Sequence, residues 1–85
     1  MNKRRSQLEI QVAILETIAQ GNDKPTQIMF SANISWLILQ NALLSLETND
    51  LIIKGNQKDR SVYSVTDKGQ SVLKDYRTVK ETLDS

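Results

Sequence analysis

Apolar positions along the first third of the chain fall with helical spacing. Leu8, Ile10, Val12, Ile14, Leu15 and Ile18 cover about 200° of a helix circumference at about 100° per residue. The segment Ser6-Gln7-Leu8-Glu9 has the form of a capping box, in which the serine hydroxyl takes the N3 amide and the glutamate reaches back. Gly21-Asn22 closes the helix near Gln20. A stripe that broad predicts contact with the chain's own core and with a second surface. Pro25 suits a first helical turn, where its missing N–H would be unpaired anyway. It opens a short helix to about Ala32, with Ile28 and Met29 inward. Asn33-Ile34 makes a turn, and Ser35 caps a longer helix ending near Asn49. Leu39, Ala42, Leu43 and Leu46 share one arc of that helix, with Trp36 at its margin. Two helices joined by so short a turn form a helix-turn-helix candidate.

Leu51–Lys54 and Ser61–Val65 are β-rich runs, separated by the polar turn-forming stretch Gly55-Asn56-Gln57-Lys58-Asp59-Arg60. A β-hairpin is predicted there, with a six-residue connection. Thr66 then caps a last helix reaching close to Ser85, which Gly69 interrupts only softly. Val72, Tyr76, Val79 and Leu83 recur at spacings of four, three and four, a heptad seam. A helix of about 17 residues is roughly 25 Å long, so its far end should overhang so small a body. The seam therefore predicts a homodimer, paired antiparallel through this helix with support from the first. The seam spans only about two heptads, which predicts a weak or concentration-dependent dimer.

Three stretches resemble a known family. They are Arg5-Ser6-Gln7-Leu8-Glu9-Ile10, the run from Lys24-Pro25-Thr26 through Asn33-Ile34-Ser35-Trp36, and Tyr63-Ser64-Val65-Thr66-Asp67-Lys68-Gly69. Together they are similar to the archaeal small winged-helix DNA-binding proteins, including the ten-a type chromatin proteins and related winged helix-turn-helix regulators. The similarity spans nearly the whole chain. It implies an α+β winged helix-turn-helix fold, with three helices, a β-hairpin wing and a long carboxyl-terminal helix. It also implies double-stranded DNA as partner, contacted by the third helix and the wing, and a dimer. On this reading residues 1–85 are one winged-helix domain, and residues 67–85 its dimerisation helix.

Composition narrows the chemistry. The 85 residues contain no Cys and no His, which removes disulfides, thiol nucleophiles, the commonest general base and the commonest metal ligand. Asp23, Asp50, Asp59 and Asp67 fall at expected caps and turns, Asp75, Glu81 and Asp84 on a solvated helix face, and glycines stand singly. No catalytic residues, metal ligands or cofactor are expected, and the chain reads as a non-enzyme. The longest unbroken apolar run is Trp36-Leu37-Ile38-Leu39, far short of a membrane span. No signal peptide is expected after Lys3-Arg4-Arg5, so the expected location is cytoplasmic, and on the nucleoid if DNA is bound.

Eleven Lys+Arg against ten Asp+Glu give a formal charge of +1, distributed unevenly. From Pro25 to Ile53 there is no cation, while Glu47 and Asp50 are negative. Lys54, Lys58 and Arg60 surround the hairpin tip, opposed only by Asp59. Phosphate contacts are expected from Arg4, Arg5, Ser35, Lys54, Lys58 and Arg60. On the outer face of the third helix Gln40 and Asn41 match adenine edges, and Leu37 and Ile38 match thymine methyls. Leu44, Ser45 and Thr48 are expected on the same face. The uncharged, partly apolar helix supports an alternative in a different class: a winged-helix adaptor for another protein, whose third helix does not bind DNA.

Overall fold

The computed structural model describes residues 6–84. The elements run α1 (Gln7–Ala19), α2 (Pro25–Ala32), α3 (Trp36–Thr48), β1 (Ile52–Gln57), β2 (Arg60–Val65) and α4 (Asp67–Asp84). This is the element order that the pattern predicts, and the α+β winged helix that the resemblance implies. Its local causes are visible. Ser6 Oγ accepts the Glu9 N–H at 3.1 Å, and Glu9 Oε1 accepts the Ser6 N–H at 3.2 Å, so both halves of the capping box form. Asn33 ends α2 in the left-handed conformation, φ 56°, a backbone that asparagine tolerates better than most residues. The chain turns by 110° between α2 and α3. Ser35 Oγ accepts the Ile38 N–H at 3.2 Å and starts α3.

One core joins all four helices and the hairpin. Ile14, Leu15, Ile28, Leu39, Leu46 and Leu73 are fully buried at its centre, and Ile52 and Tyr63 close it from the hairpin side. The predicted arc of α3 is the buried one: Leu39, Ala42, Leu43 and Leu46 all face inward. On α1, Val12, Ile14, Leu15 and Ile18 are buried and Ile10 packs partly against them. Leu8, in the first turn, is left exposed, so nearly all of the broad stripe is taken up by the chain's own core.

The junction of α3, β1 and α4 is held by one short stretch. Thr66 Oγ1 donates to Asp50 O at 2.6 Å and accepts the Gly69 N–H at 3.0 Å, while the Thr66 N–H donates to Leu51 O at 3.1 Å. Lys68 Nζ donates to Asn49 O at 2.9 Å, which neutralises a free carbonyl at the carboxyl end of α3. Gly69 lies against Leu51 O and the Val65 side chain, and no Cβ fits between them. The glycine is therefore required by a close backbone approach, a stronger role than a soft interruption.

The hairpin differs from expectation in its connection. Pairing continues outward through Gly55↔Val62, Asn56↔Ser61 and Gln57↔Arg60, leaving a two-residue turn, Lys58-Asp59, with φ 51° and 64°. Both values are those of a type I′ turn, whose twist matches the strands. Sequence pattern missed the extension because the outer wing meets solvent on both faces and shows no alternation.

Candidate nucleic-acid interface

Backbone pairing decides which wing residues share a face. Residues directly opposite in an antiparallel pair project to the same side, so Lys54 and Tyr63 stand together. They face α3, where they line a groove with Trp36, Gln40 and Glu47. Lys58 and Arg60 instead lie at the outer end, in a concavity shared with Gln57 and Lys24. The three wing cations thus do not form one set: Lys54 is separated from the other two and shares its groove with a carboxylate.

Lys24 is a further cation of this surface, one that distance along the chain does not associate with the wing. The Tyr63 N–H donates to Asp23 O at 2.8 Å, tying the α1–α2 connection to β2. Lys24, next in the chain, is thereby carried beside Arg60. Its signal in sequence was only a lone lysine before Pro25, and a strand contact forty residues away positions it. Lys24, Lys58 and Arg60 form a basic edge where α2 meets the wing. Thr26 and Trp36 continue that edge toward α3. Lys58 occupies a left-handed position where Asn or Gly is easier by roughly 1 kcal/mol.

The outer face of α3 divides in two. Gln40 looks toward the wing, in the groove with Lys54. Ile38 and Asn41 look the other way and line a concavity with Gln7, Ile10 and Gln11 of α1. Ser45 belongs to that second side, where its Oγ accepts from Gln11 Nε2 at 3.2 Å, rather than to the free face expected for it. Between the two sides Leu37 and Leu44 are each 66 % exposed, and Thr48 returns its hydroxyl proton to Leu44 O at 2.8 Å. Ser35 Oγ is engaged as the α3 cap, which leaves its own O–H free to donate. Arg4 and Arg5 lie outside the described residues.

On α4, Leu73 is buried and Val72 and Tyr76 pack partly on the core. Beyond Tyr76 every described side chain is exposed, and Val79 and Leu83 reach 56 % and 77 % exposure. Arg77 pairs with Glu16 of α1 at 3.8 Å, a surface contact worth little by itself. It marks the last point at which α4 touches the body through an ion pair among the described residues.

The Tyr63 hydroxyl is pushed above the usual tyrosine range, first by burial and second by the nearby Glu47 carboxylate.

The winged helix-turn-helix family matches residues 4–84. Among solved structures, Sso10a-2, a DNA-binding protein from Sulfolobus solfataricus, is 23 % identical with a TM-score of 0.74, over 93 % of this chain and 85 % of its own. A Listeria innocua protein of unknown function is 22 % identical with a TM-score of 0.77, over 86 % of this chain and 52 % of its own. MepR, a transcription regulator of the Staphylococcus aureus multidrug efflux pump MepA, is 16 % identical with a TM-score of 0.79, over 88 % of this chain and 58 % of its own. The chain thus spans about half the length of the Listeria and Staphylococcus proteins. No curated protein sequence matches it. Among the described residues, no single helix is long and apolar enough to cross a membrane.

Proposed function

This chain belongs to the winged helix-turn-helix family, and from that premise we propose that it binds double-stranded DNA as a homodimer. It acts as a transcription regulator or as an architectural protein of the chromatin type. The observation that carries the reading is the basic edge of Lys24, Lys58 and Arg60, set beside the opening of α3. Phosphate contacts hold most of the affinity in such complexes. Lys58, Arg60 and the Ser35 hydroxyl supply them, with Lys54 at the inner end of the wing and Arg4 and Arg5 ahead of α1.

Base edges are met by Gln40 on the wing side of α3 and Asn41 on the α1 side, with Leu37 and Ile38 against thymine methyls. With no cation on α3, base contacts add discrimination while the wing edge supplies the grip. Two copies pair antiparallel through Val72, Tyr76, Val79 and Leu83, and present two such modules to one duplex. The exposure of Val79 and Leu83 supports this pairing, since a stripe of that kind is stabilised by a partner surface. The place of action is the cytoplasm, on the nucleoid.

One observation favours a second reading. Leu37 and Leu44 are two-thirds exposed on a helix whose single charge is Glu47. Such a face suits a protein partner, and in that reading the chain is a winged-helix adaptor. Fluorescence anisotropy with labelled duplex DNA at two salt concentrations separates the two. DNA binding predicts saturable binding at about 50 mM salt that weakens steeply as salt rises. No binding at the lower salt leaves the adaptor standing.

A further inference from the structure

An open trough lies where the first turns of α2 and α3 meet the outer end of β2. Its lining is Lys24, Pro25, Thr26, Trp36, Arg60 and Ser61, and none of these residues is acidic. Trp36 opens α3 directly after the Ser35 cap. It lies outside the buried core and is 48 % exposed. Half-buried Lys24 and exposed Arg60 stand beside it in the trough. An exposed ring set among cations is the makeup of surfaces that stack unpaired bases and hold the adjoining phosphates. A duplex keeps its bases stacked inside, so the duplex reading leaves the indole face unused.

We propose that this trough binds single-stranded DNA, with one unpaired base stacked on the Trp36 indole and the flanking phosphates held by Lys24 and Arg60. The hydroxyls of Thr26 and Ser61 lie in the same trough and can donate to phosphate oxygens. Charge selects the occupant: two cations and no carboxylate face a polyanion, and an open platform suits a strand that runs on past it. Every base has a π-face, so the platform tolerates any sequence. A strand continuing outward along the wing meets Lys58, which shares the neighbouring concavity with Lys24 and Arg60. Strand and duplex therefore use the same cations and exclude one another. The choice of DNA rests on the duplex reading; the platform itself does not.

Trp36 is the chain's single tryptophan, so its fluorescence reports the platform directly. The chain is titrated with an oligothymidylate and with an abasic strand of equal length and charge, and the anisotropy of an end label on each strand is followed in parallel. The oligothymidylate is expected to quench Trp36 saturably. It should bind at least about fivefold more tightly than the abasic strand, the smallest gain that one stacked base gives. Trp36→Leu should bring its affinity down to that of the abasic strand, whereas Trp36→Phe keeps a ring and should retain most of it. Equal affinity for the two strands, binding without a change in Trp36 emission, or parent affinity in a folded Trp36→Leu overturns the platform. The comparison of the two strands needs no variant. Duplex binding with no binding of oligothymidylate also overturns the platform and leaves the duplex reading intact. Base-dependent strand binding by a chain with no affinity for duplex keeps the platform and removes the duplex reading.

Discussion

Replacing Gly69 with alanine tests the junction that orients the wing and α4. At an open helical position the change would stabilise the protein, because alanine is better than glycine by about 1 kcal/mol. Here the added Cβ meets the Leu51 carbonyl and comes within 2.5 Å of Val65 Cγ1. Leu51 O cannot retreat freely, since it accepts the Thr66 N–H at 3.1 Å. Overpacking against backbone stands at the upper end of the usual penalty, about 3 kcal/mol. Losing the Thr66 hydrogen bond adds about 1 kcal/mol. Net of propensity, the expected destabilisation is about 3 kcal/mol, or a fall in Tm of roughly 10–25 °C for a domain of this size. Gly55→Ala is the control, because its Cβ would make only ordinary contacts, with Val62 Cγ2 at 3.7 Å and Val62 O at 4.0 Å, and a change within about 0.5 kcal/mol is expected. Thermal melting by circular dichroism measures both. A Gly69→Ala protein as stable as the parent would refute the close approach on which the α3–β1–α4 geometry rests.

Other consequences are as direct. Ser35→Ala removes the acceptor of the Ile38 N–H and should cost about 1 kcal/mol in urea unfolding. The folded state holds the Tyr63 proton to higher pH than the unfolded chain does. Its contribution is therefore whole below about pH 10 and is lost as pH rises beyond it; Tyr63→Phe should flatten that part of the stability profile. Val79→Asp with Leu83→Asp places charge on the exposed α4 stripe. If the proposed dimer forms, sedimentation velocity should find the parent chain dimeric at concentrations where this variant is monomeric, with the fold unchanged by circular dichroism.

What could be read from the sequence, and what could not, follows from where the physics is local. Caps and arcs are local: Ser6, Ser35, Asn33 and the buried arc of α3 depend on residues within a turn or two, and each was legible. The outer hairpin was not, because Gly55 to Arg60 has no buried face to impose a period of two. Lys24 was missed for the opposite reason, since the backbone contact between Asp23 and Tyr63 brings it to the wing. Gln40 and Asn41 are neighbours in sequence yet look into different concavities, a separation that depends on where α1 and the wing flank α3. Sequence distance groups Lys54 with Lys58 and Arg60, whereas strand pairing sets it beside Tyr63 in the groove that Glu47 also lines.

The proposed grip of the wing edge on DNA phosphates makes duplex affinity fall as salt rises. It is tested most directly by the salt dependence of duplex affinity, compared between the parent chain and a Lys58→Glu, Arg60→Glu double variant. The parent should bind measurably at about 50 mM salt, with a negative slope of log K against log salt. In the variant, the slope should be shallower by about two per protomer and the affinity largely abolished, each lost phosphate contact removing close to one counterion. A variant that folds and binds with the parent's affinity and slope would contradict it.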